Sequence, residues 1–463
     1  MCGGRWVDKL QKENSFCFVS NFFLSLILVL FGVFVFALQC HAQTSMATPA
    51  PTPYSVAKAD TWTHLLFRTN GWTGADGIFS IPLSGVEGPD WTDQAKTLFL
   101  FSDTFIGQVD ATGARKNACL IHNSLAILDG IEPDSAKMKF IWNKDSAGLP
   151  QSVFVPNTPN TRGKANWYWL QDGFCHNKTV YIFGLIVSVD SAGPPGFNFK
   201  TTGVGLIKIP LGLNGEPDLA KQSQMDVPLF FKSGNTTISF GNGVLPNTVE
   251  ALAPSPDGYL YVYGGQSLCV ARIAVDSLDD STAWHYYDGK SWSQDISASA
   301  SLGEGGSEMS VTPVTQGSLK GEYLMVSMSL EANVFIRVGD SPAGPFSTRK
   351  NVYVAPEWSV VDSIYSYNAK AHPSLSKNGD CLISYNVNTT SWSRNLKAAD
   401  IYHPRFISLR FDPGAGILRR RNGNLIGEAK ARLTEESWRF GNGGGGGGGG
   451  GSRLDGRWMG MEF

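Results

Sequence analysis

The sequence predicts an all-β protein: a five-bladed β-propeller whose four-stranded antiparallel blades surround a central funnel. Three observations lead there. Five segments share one layout, a polar turn followed by a β-branched, aromatic and aliphatic run: Lys96–Phe105, Lys178–Val187, Gly258–Gly265, Gly321–Leu330 and Asp380–Asn388. They recur at roughly 60 to 80 residues, near the length of a four-stranded blade with generous loops. Upstream of each stands an ionisable residue in a strand-like piece, in order Asp76, Asp172, Glu250, Glu308 and His372. Inner strands of a ring converge on one axis, so these five side chains are expected to share a pocket.

Composition agrees with strands and turns. The 463 residues include 52 glycines and 24 prolines, with 12% aromatic and 17% charged residues. Helical-bundle periodicity is missing. A formal net charge of −2 without a basic stripe excludes a nucleic-acid partner. Dense turn signals such as Asn70-Gly71, Asp257-Gly258 and Asn422-Gly423 separate short strand-type runs, the pattern of antiparallel meanders. The blades are expected at about 71–142, 166–209, 227–288, 308–354 and 365–411, with Thr63–Arg68 returning to complete the last one.

The ends read differently. Residues 1–42 carry Arg5, Lys9 and Lys12 before the uncharged run Phe22–Leu38, and Cys40-His41-Ala42 offers small residues for cleavage. This is a signal peptide cut after Ala42 or an uncleaved membrane anchor, and either exports the body to the cell exterior or periplasm. Residues 43–60 are a Pro/Ala/Thr linker, 61–437 the folded domain, and 438–463 a tail holding the glycine tract Gly443–Gly451. Cys119, Cys175, Cys269 and Cys381 show no metal-type spacing, and three of them sit in apolar runs as core residues. Asn177, Asn235 and Asn388 open N-glycosylation patterns.

Several motifs resemble a known group. Gly74-Ala75-Asp76-Gly77, Phe101-Ser102-Asp103-Thr104-Phe105, Asp340–Phe346, Ala369-Lys370-Ala371-His372-Pro373 and Tyr402-His403-Pro404-Arg405-Phe406 are similar to stretches of the arabinanase-like, five-bladed propeller glycoside hydrolase clan. Within it the chain looks closest to the bacterial domain-of-unknown-function families 4185 and 5005. The resemblance covers about Trp62 to Phe411. It implies an exported glycosidase acting on furanoside, arabinan-like linkages of a polysaccharide, with inversion. A non-catalytic carbohydrate- or protein-binding propeller is the alternative.

Glycoside hydrolysis needs one protonated and one ionised carboxyl flanking the bond. Asp76 reads as the general base or as a turn aspartate bonded to its own backbone. Glu308 matches the acid of the clan, with Glu304 as its rival and a solvated strand-start residue as the plain reading. Glu250, Asp172 and Asp103 compete for a supporting role. Glu250 reads as a charge inside an apolar strand, which is costly unless it faces a pocket. Asp172 is otherwise a turn residue and Asp103 a buried structural one. Trp72, Trp167 and Trp169 are expected to stack on sugar faces, or to pack the blades. His372 and Arg405 complete the substrate-binding expectation. No cofactor is expected, apart from a Ca²⁺ near His372 that the resemblance allows.

Overall fold

The computed structural model describes residues 54–411, except for 89–91, 93–94, 194–197, 235, 266, 316–318, 330, 360–362 and 378, together with the strand pieces Arg419–Arg421 and Asn424–Ile426. The expected export segment and the glycine tail lie outside the described residues. Two units divide the chain. One is Met1–Pro51 with Ser146–Leu149, described only as a turn around Ser146–Ala147. The other is Thr52–Asp145 with Pro150–Phe463 and holds all the strands described below.

Sheets of four or more antiparallel strands follow one another along the chain, and five are described. Sheet I contains Phe79–Pro82, Lys96–Phe101, Ser124–Asp129 and Met138–Ile141 in that order. Sheet II contains Asn166–His176, Thr179–Val189, Phe199–Pro210 and Ser223–Val227. Sheet III has six strands, from Phe230–Ser233 and Thr236–Asn247 to Trp292–Ser293. Sheet IV runs from Met309–Pro313 to Lys350–Val354. Sheet V orders Tyr54–Lys58, Pro404–Phe411, Asp380–Thr389 and Ile364–Ala371. Helices are confined to short pieces, chiefly α1 (Asp60–Leu65) and α2 (Trp392–Lys397).

Apolar layers lie between consecutive sheets. Leu98 and Leu100 of sheet I meet Leu170 and Ile182 of sheet II, while Phe183 and Leu206 meet Val262 and Ala271 of sheet III. Tyr263 meets Met325 of sheet IV, Ile336 meets Ile383 of sheet V, and Leu382 and Phe406 of sheet V reach Phe99 and Phe101 of sheet I. This explains the uninterrupted apolar runs: both faces of each strand are covered, so strict alternation is lost. Leu98, Phe99, Leu100 and Phe101 are all fully buried, each worth about 1.5–3 kcal/mol of transfer free energy. The strands Phe79–Pro82, Asn166–His176, Thr236–Asn247, Met309–Pro313 and Ile364–Ala371 each contact the next. Ser80 Oγ and His372 Nδ1, 2.7 Å apart, link the last to the first.

Two expectations need correction. Lys96–Phe105 is not one strand. It breaks at Ser102–Asp103, and Thr104–Val109 joins Asn70–Ala75 and Arg115–Ile121 in a separate three-stranded sheet. The last blade-like sheet is completed by Tyr54–Lys58 from the supposed linker, not by Thr63–Arg68, whose first half ends α1. Tyr54 pairs with Phe411 and Lys58 with Ile407, where an exposed strand edge needs backbone partners that a proline-rich composition did not advertise. The four cysteines are free thiols.

Deleting residues through Lys58 should therefore destabilise the domain by about 2–4 kcal/mol, at about 1 kcal/mol for each lost strand hydrogen bond, whereas deletion through Pro51 should not. Equal thermal midpoints for the two truncations would refute this role.

Candidate active site

Asp76 sits where the three-stranded sheet hands the chain to sheet I, and Asp103 where sheet I hands it back. Two backbone hydrogen bonds lock these corners together: Ser102 N donates to Asp76 O at 2.9 Å and Asp76 N to Asp103 O at 3.3 Å. Glycine is required on both sides of Asp76. A Cβ on Gly77 (φ +60°) would stand 2.7 Å from Ser102 Oγ, and one on Gly74 (φ +147°) 2.1 Å from Tyr402 O.

The Asp76 carboxylate is recessed but partly exposed. Tyr367 Oη donates to its Oδ2 at 2.7 Å, and the Tyr402 phenol also bonds it. Burial, then the charge of Asp103, pushes its pKa up to about 7; the two tyrosines oppose the rise and the charge of Glu308 adds to it. A β-bulge between Tyr367 and Lys370 aims both side chains inward, with Asn368 at φ 61°. Tyr402 is held by its loop, which Arg115 clamps: its guanidinium donates to Thr73 O, Asn395 O and Ala399 O at 2.5–2.9 Å and to Tyr402 O at 3.4 Å.

Glu308 stands directly before the first strand of sheet IV and forms a buried ion pair with Lys370. Burial raises its pKa, and Lys370 works against the rise. Asp172 lies in a second bulge, between Leu170 and Gly173, and accepts from Gly173 N and Val244 N, both at 2.8 Å. Burial pushes it up to about 7 despite these bonds and despite Lys370, with the charge of Glu308 adding to the shift. Glu87 shares with Asp172, Ser310 and Lys370 a cavity of about 20 Å³, room for about one water. Burial and the charge of Asp172 push Glu87 up to about 8. The sequence reading missed Glu87, which stands in the glycine-flanked stretch Ser84–Gly88, and nothing local distinguishes it from a solvated loop acid. Tyr367, Tyr402 and Lys370 were missed as well, although Lys370 and Tyr402 belong to motifs already singled out.

The structure thus brings together Asp76, Asp103, Asp172 and Glu308, and sets other expected residues apart. Asp103 Oδ1 accepts from His122 Nδ1 at 3.0 Å and Trp169 Nε1 at 3.1 Å. Trp167 and Trp169 are half-buried beside it. Glu250 is not in a strand: Thr236–Asn247 ends before it, and Glu250 is exposed on a turn closed by Leu252 N to Val249 O. Trp72 is 1% exposed and packs on Phe101 and Phe140, so no sugar reaches it. His372 is fully buried between Ser80 Oγ and Ser384 Oγ, each 2.7 Å from a ring nitrogen, and burial lowers its pKa to about 3. Both ring nitrogens face serine hydroxyls and the side chain is fully buried, so His372 is not exposed to contact a substrate. Among the described residues no group of three His, Cys, Asp or Glu is arranged to hold a metal. Arg405 spends its guanidinium on Asp400 O, His403 O and Glu357, and is a loop clamp rather than a sugar contact. Glu304 pairs with Arg349 at 2.6 Å on the surface, and the Asn388 amide bonds Tyr367 Oη at 3.3 Å and so does not present itself for glycosylation.

With this geometry in view, comparison with known proteins assigns a family. The family described as Domain of unknown function (DUF5005) matches residues 59–413, and the chain belongs to it. A search of curated proteins finds no match. Among solved structures, a protein from Bacteroides ovatus provisionally assigned as a hydrolase is similar at 21% identity, with a TM-score of 0.59 over 79% of this chain and 93% of that one. A GH43_1 enzyme from Xanthomonas citri shares 14% identity, with a TM-score of 0.35 over 80% and 96% of the two chains. The first of these likenesses is one of fold.

The raised acids set a pH dependence of stability. Glu87 and Asp172 hold protons to about 8 and about 7, against ordinary values of 4.5 and 3.8. Between about pH 4 and 8 the folded chain therefore binds more protons than the unfolded one, so their contribution is complete below about 4 and is lost as pH rises to about 8. Glu87→Gln should remove its share, and the melting temperature of the variant relative to the parent should climb from about pH 5 to 8. Parallel melting profiles would show that Glu87 is not a buried acid.

Proposed function

We propose that the protein is an exported glycoside hydrolase and that its five sheets are the blades of a five-bladed propeller. The succession of one strand from each sheet, each touching the next, and the apolar layer between every consecutive pair of sheets support the ring. The observation that carries the catalytic reading is the convergence of Asp76 and Glu308 from different sheets. The charge of Glu308 adds to the rise of Asp76, and burial raises both pKa values, that of Asp76 to about 7. That is how two carboxyls come to divide acid and base work near neutral pH.

Asp76 acts as general base, accepting a proton from the attacking water as its oxygen bonds the anomeric carbon. Glu308 donates its proton to the leaving glycosidic oxygen as that bond breaks. Lys370 then stabilises the glutamate left behind, and Asp172, held by two amides, keeps the acid's surroundings polar without moving. Tyr367 and Tyr402 hold the Asp76 carboxylate in place. The substrate class is a furanoside, arabinan-like polysaccharide, and the outcome inversion, on the resemblance of the motifs. A polymer of this kind lies outside the cell, and the segment Phe22–Leu38 suits export. The non-catalytic binding reading draws on one observation, the burial of Glu308 against Lys370, which would keep the glutamate as a structural ion.

The test is hydrolysis of an arabinan, xylan and galactan panel, with the product anomer followed by proton NMR. Asp76→Asn and Glu308→Gln should each lower the rate by about 10²–10⁴-fold, the usual range for a lost acid or base. Activity indifferent to both substitutions would sink the assignment, and retained binding without turnover in the parent would favour the non-catalytic reading. Tyr367→Phe removes a hydrogen bond that favours ionised Asp76, so the acidic limb of kcat/KM should move to higher pH; an unmoved limb would remove Asp76 as the base. Export is checked separately: N-terminal sequencing of protein from the expressing host should begin after Ala42, and an intact Phe22–Leu38 would indicate an anchor.

A further inference from the structure

Beside Asp76 lies a structure that the acid/base chemistry leaves unused. The three-stranded sheet and sheet I are joined at two neighbouring corners, Ser102–Asp103 and His122–Asn123, because Thr104 pairs with Ile121 and Phe101 with Ser124. The second corner is fixed firmly. Asn123 Nδ2 donates to Phe154 O at 2.9 Å and Tyr168 O at 3.1 Å, its Oδ1 accepts from Phe154 N at 2.8 Å, and His122 N donates to Ser152 Oγ at 3.0 Å. His122 itself points outward with 42% of its side chain exposed. One face of its ring lies on Trp167, with centroids 4.7 Å apart and planes 18° apart.

We propose that His122, backed by Trp167 and oriented by Asp103, is a binding ledge for the neutral sugar ring adjoining the one cut at Asp76; this rests on the carbohydrate reading of the site. The ring is held at Nδ1 by Asp103 and on one face by Trp167. Nδ1 faces Asp103 Oδ1 and donates to the carboxylate, which leaves Nε2 as the ring nitrogen turned away from it. Nε2 has no protein partner among the described residues, and a sugar hydroxyl supplies the missing partner. The free face of the imidazole offers the flat surface on which the C–H face of a sugar stacks. Trp169, bonded to the same Asp103 oxygen at 3.1 Å, fixes the carboxylate that aims His122. Among the described residues no Lys or Arg bonds His122 or Asp103, which points to neutral pentose or hexose units. Asp103 thereby has two duties: its charge raises the pKa of Asp76, and its oxygen sets the tautomer of His122.

The full chain carrying Asp76→Asn, titrated with short arabino- and xylo-oligosaccharides by calorimetry and tryptophan fluorescence, tests the ledge without turnover. Adding His122→Ala should weaken binding by about tenfold, the equivalent of one good contact. His122→Phe, which keeps the stack and loses Nε2, should fall between the two. Affinity within about twofold of the background in His122→Ala, or a background that binds no member of either series, overturns the ledge. These outcomes are separate from the fate of the catalytic pair: hydrolysis that survives Asp76→Asn sinks the acid/base assignment and leaves the ledge standing.

Discussion

Two backbone hydrogen bonds between Asp76 and the Ser102–Asp103 corner govern the site. They hold two chain crossings so close that the carboxyls of Asp76 and Asp103 share a partly dry space. Like charges at that proximity disfavour ionisation, and burial adds to the effect. Tyr367 and Tyr402 counter it by donating to Asp76. The result is a carboxyl poised near neutrality, set by opposed terms rather than by any one neighbour.

The rest of the architecture serves to bring those neighbours in. Bulges interrupt three of the strands that contact one another from sheet to sheet, at Leu170/Gly173, Phe240/Gly243 and Tyr367/Lys370. A regular strand would send alternate residues to opposite faces. The extra residues instead let Asp172, and Tyr367 together with Lys370, turn toward the same space. Arg115 does the comparable task for a loop: by donating to carbonyls of Thr73, Asn395, Ala399 and Tyr402 it ties α2 and the Tyr402 loop to the three-stranded sheet. Its burial lowers its own pKa to about 10, still far above neutral, so the clamp keeps its charge.

Glu308 and Lys370 form the second centre. A buried ion pair is weak evidence for stability, because desolvation offsets much of the attraction. Under the proposed function the pair, placed beside Asp172 and Glu87 whose pKa values are also raised, is a proton donor and its counter-ion. Membership of DUF5005 names no chemistry, and the fold alone hosts many activities. The proposed activity therefore depends on this local arrangement of acids, on the tyrosines that hold one of them, and on the ring that His122 presents to solvent.

By itself the sequence determined the strand-and-turn architecture, the five repeating segments, and Asp76, Asp172 and Glu308 as acids worth following. Turn residues and apolar runs act locally, so they are legible in one dimension. What depended on distant parts of the chain was not. Tyr54–Lys58 looked like linker because its only distinction is a partner strand more than 340 residues away. Glu250 looked buried because apolar residues precede it, yet the strand stops at Asn247 and the chain turns outward. Glu87 was passed over, and Trp72 and His372 looked available, because what covers each of them comes from elsewhere in the chain. Tertiary structure decided which side chains lost water and which charges met, because burial and charge pairing belong to the convergence of strand ends from separate sheets, and no stretch of one strand encodes that alone.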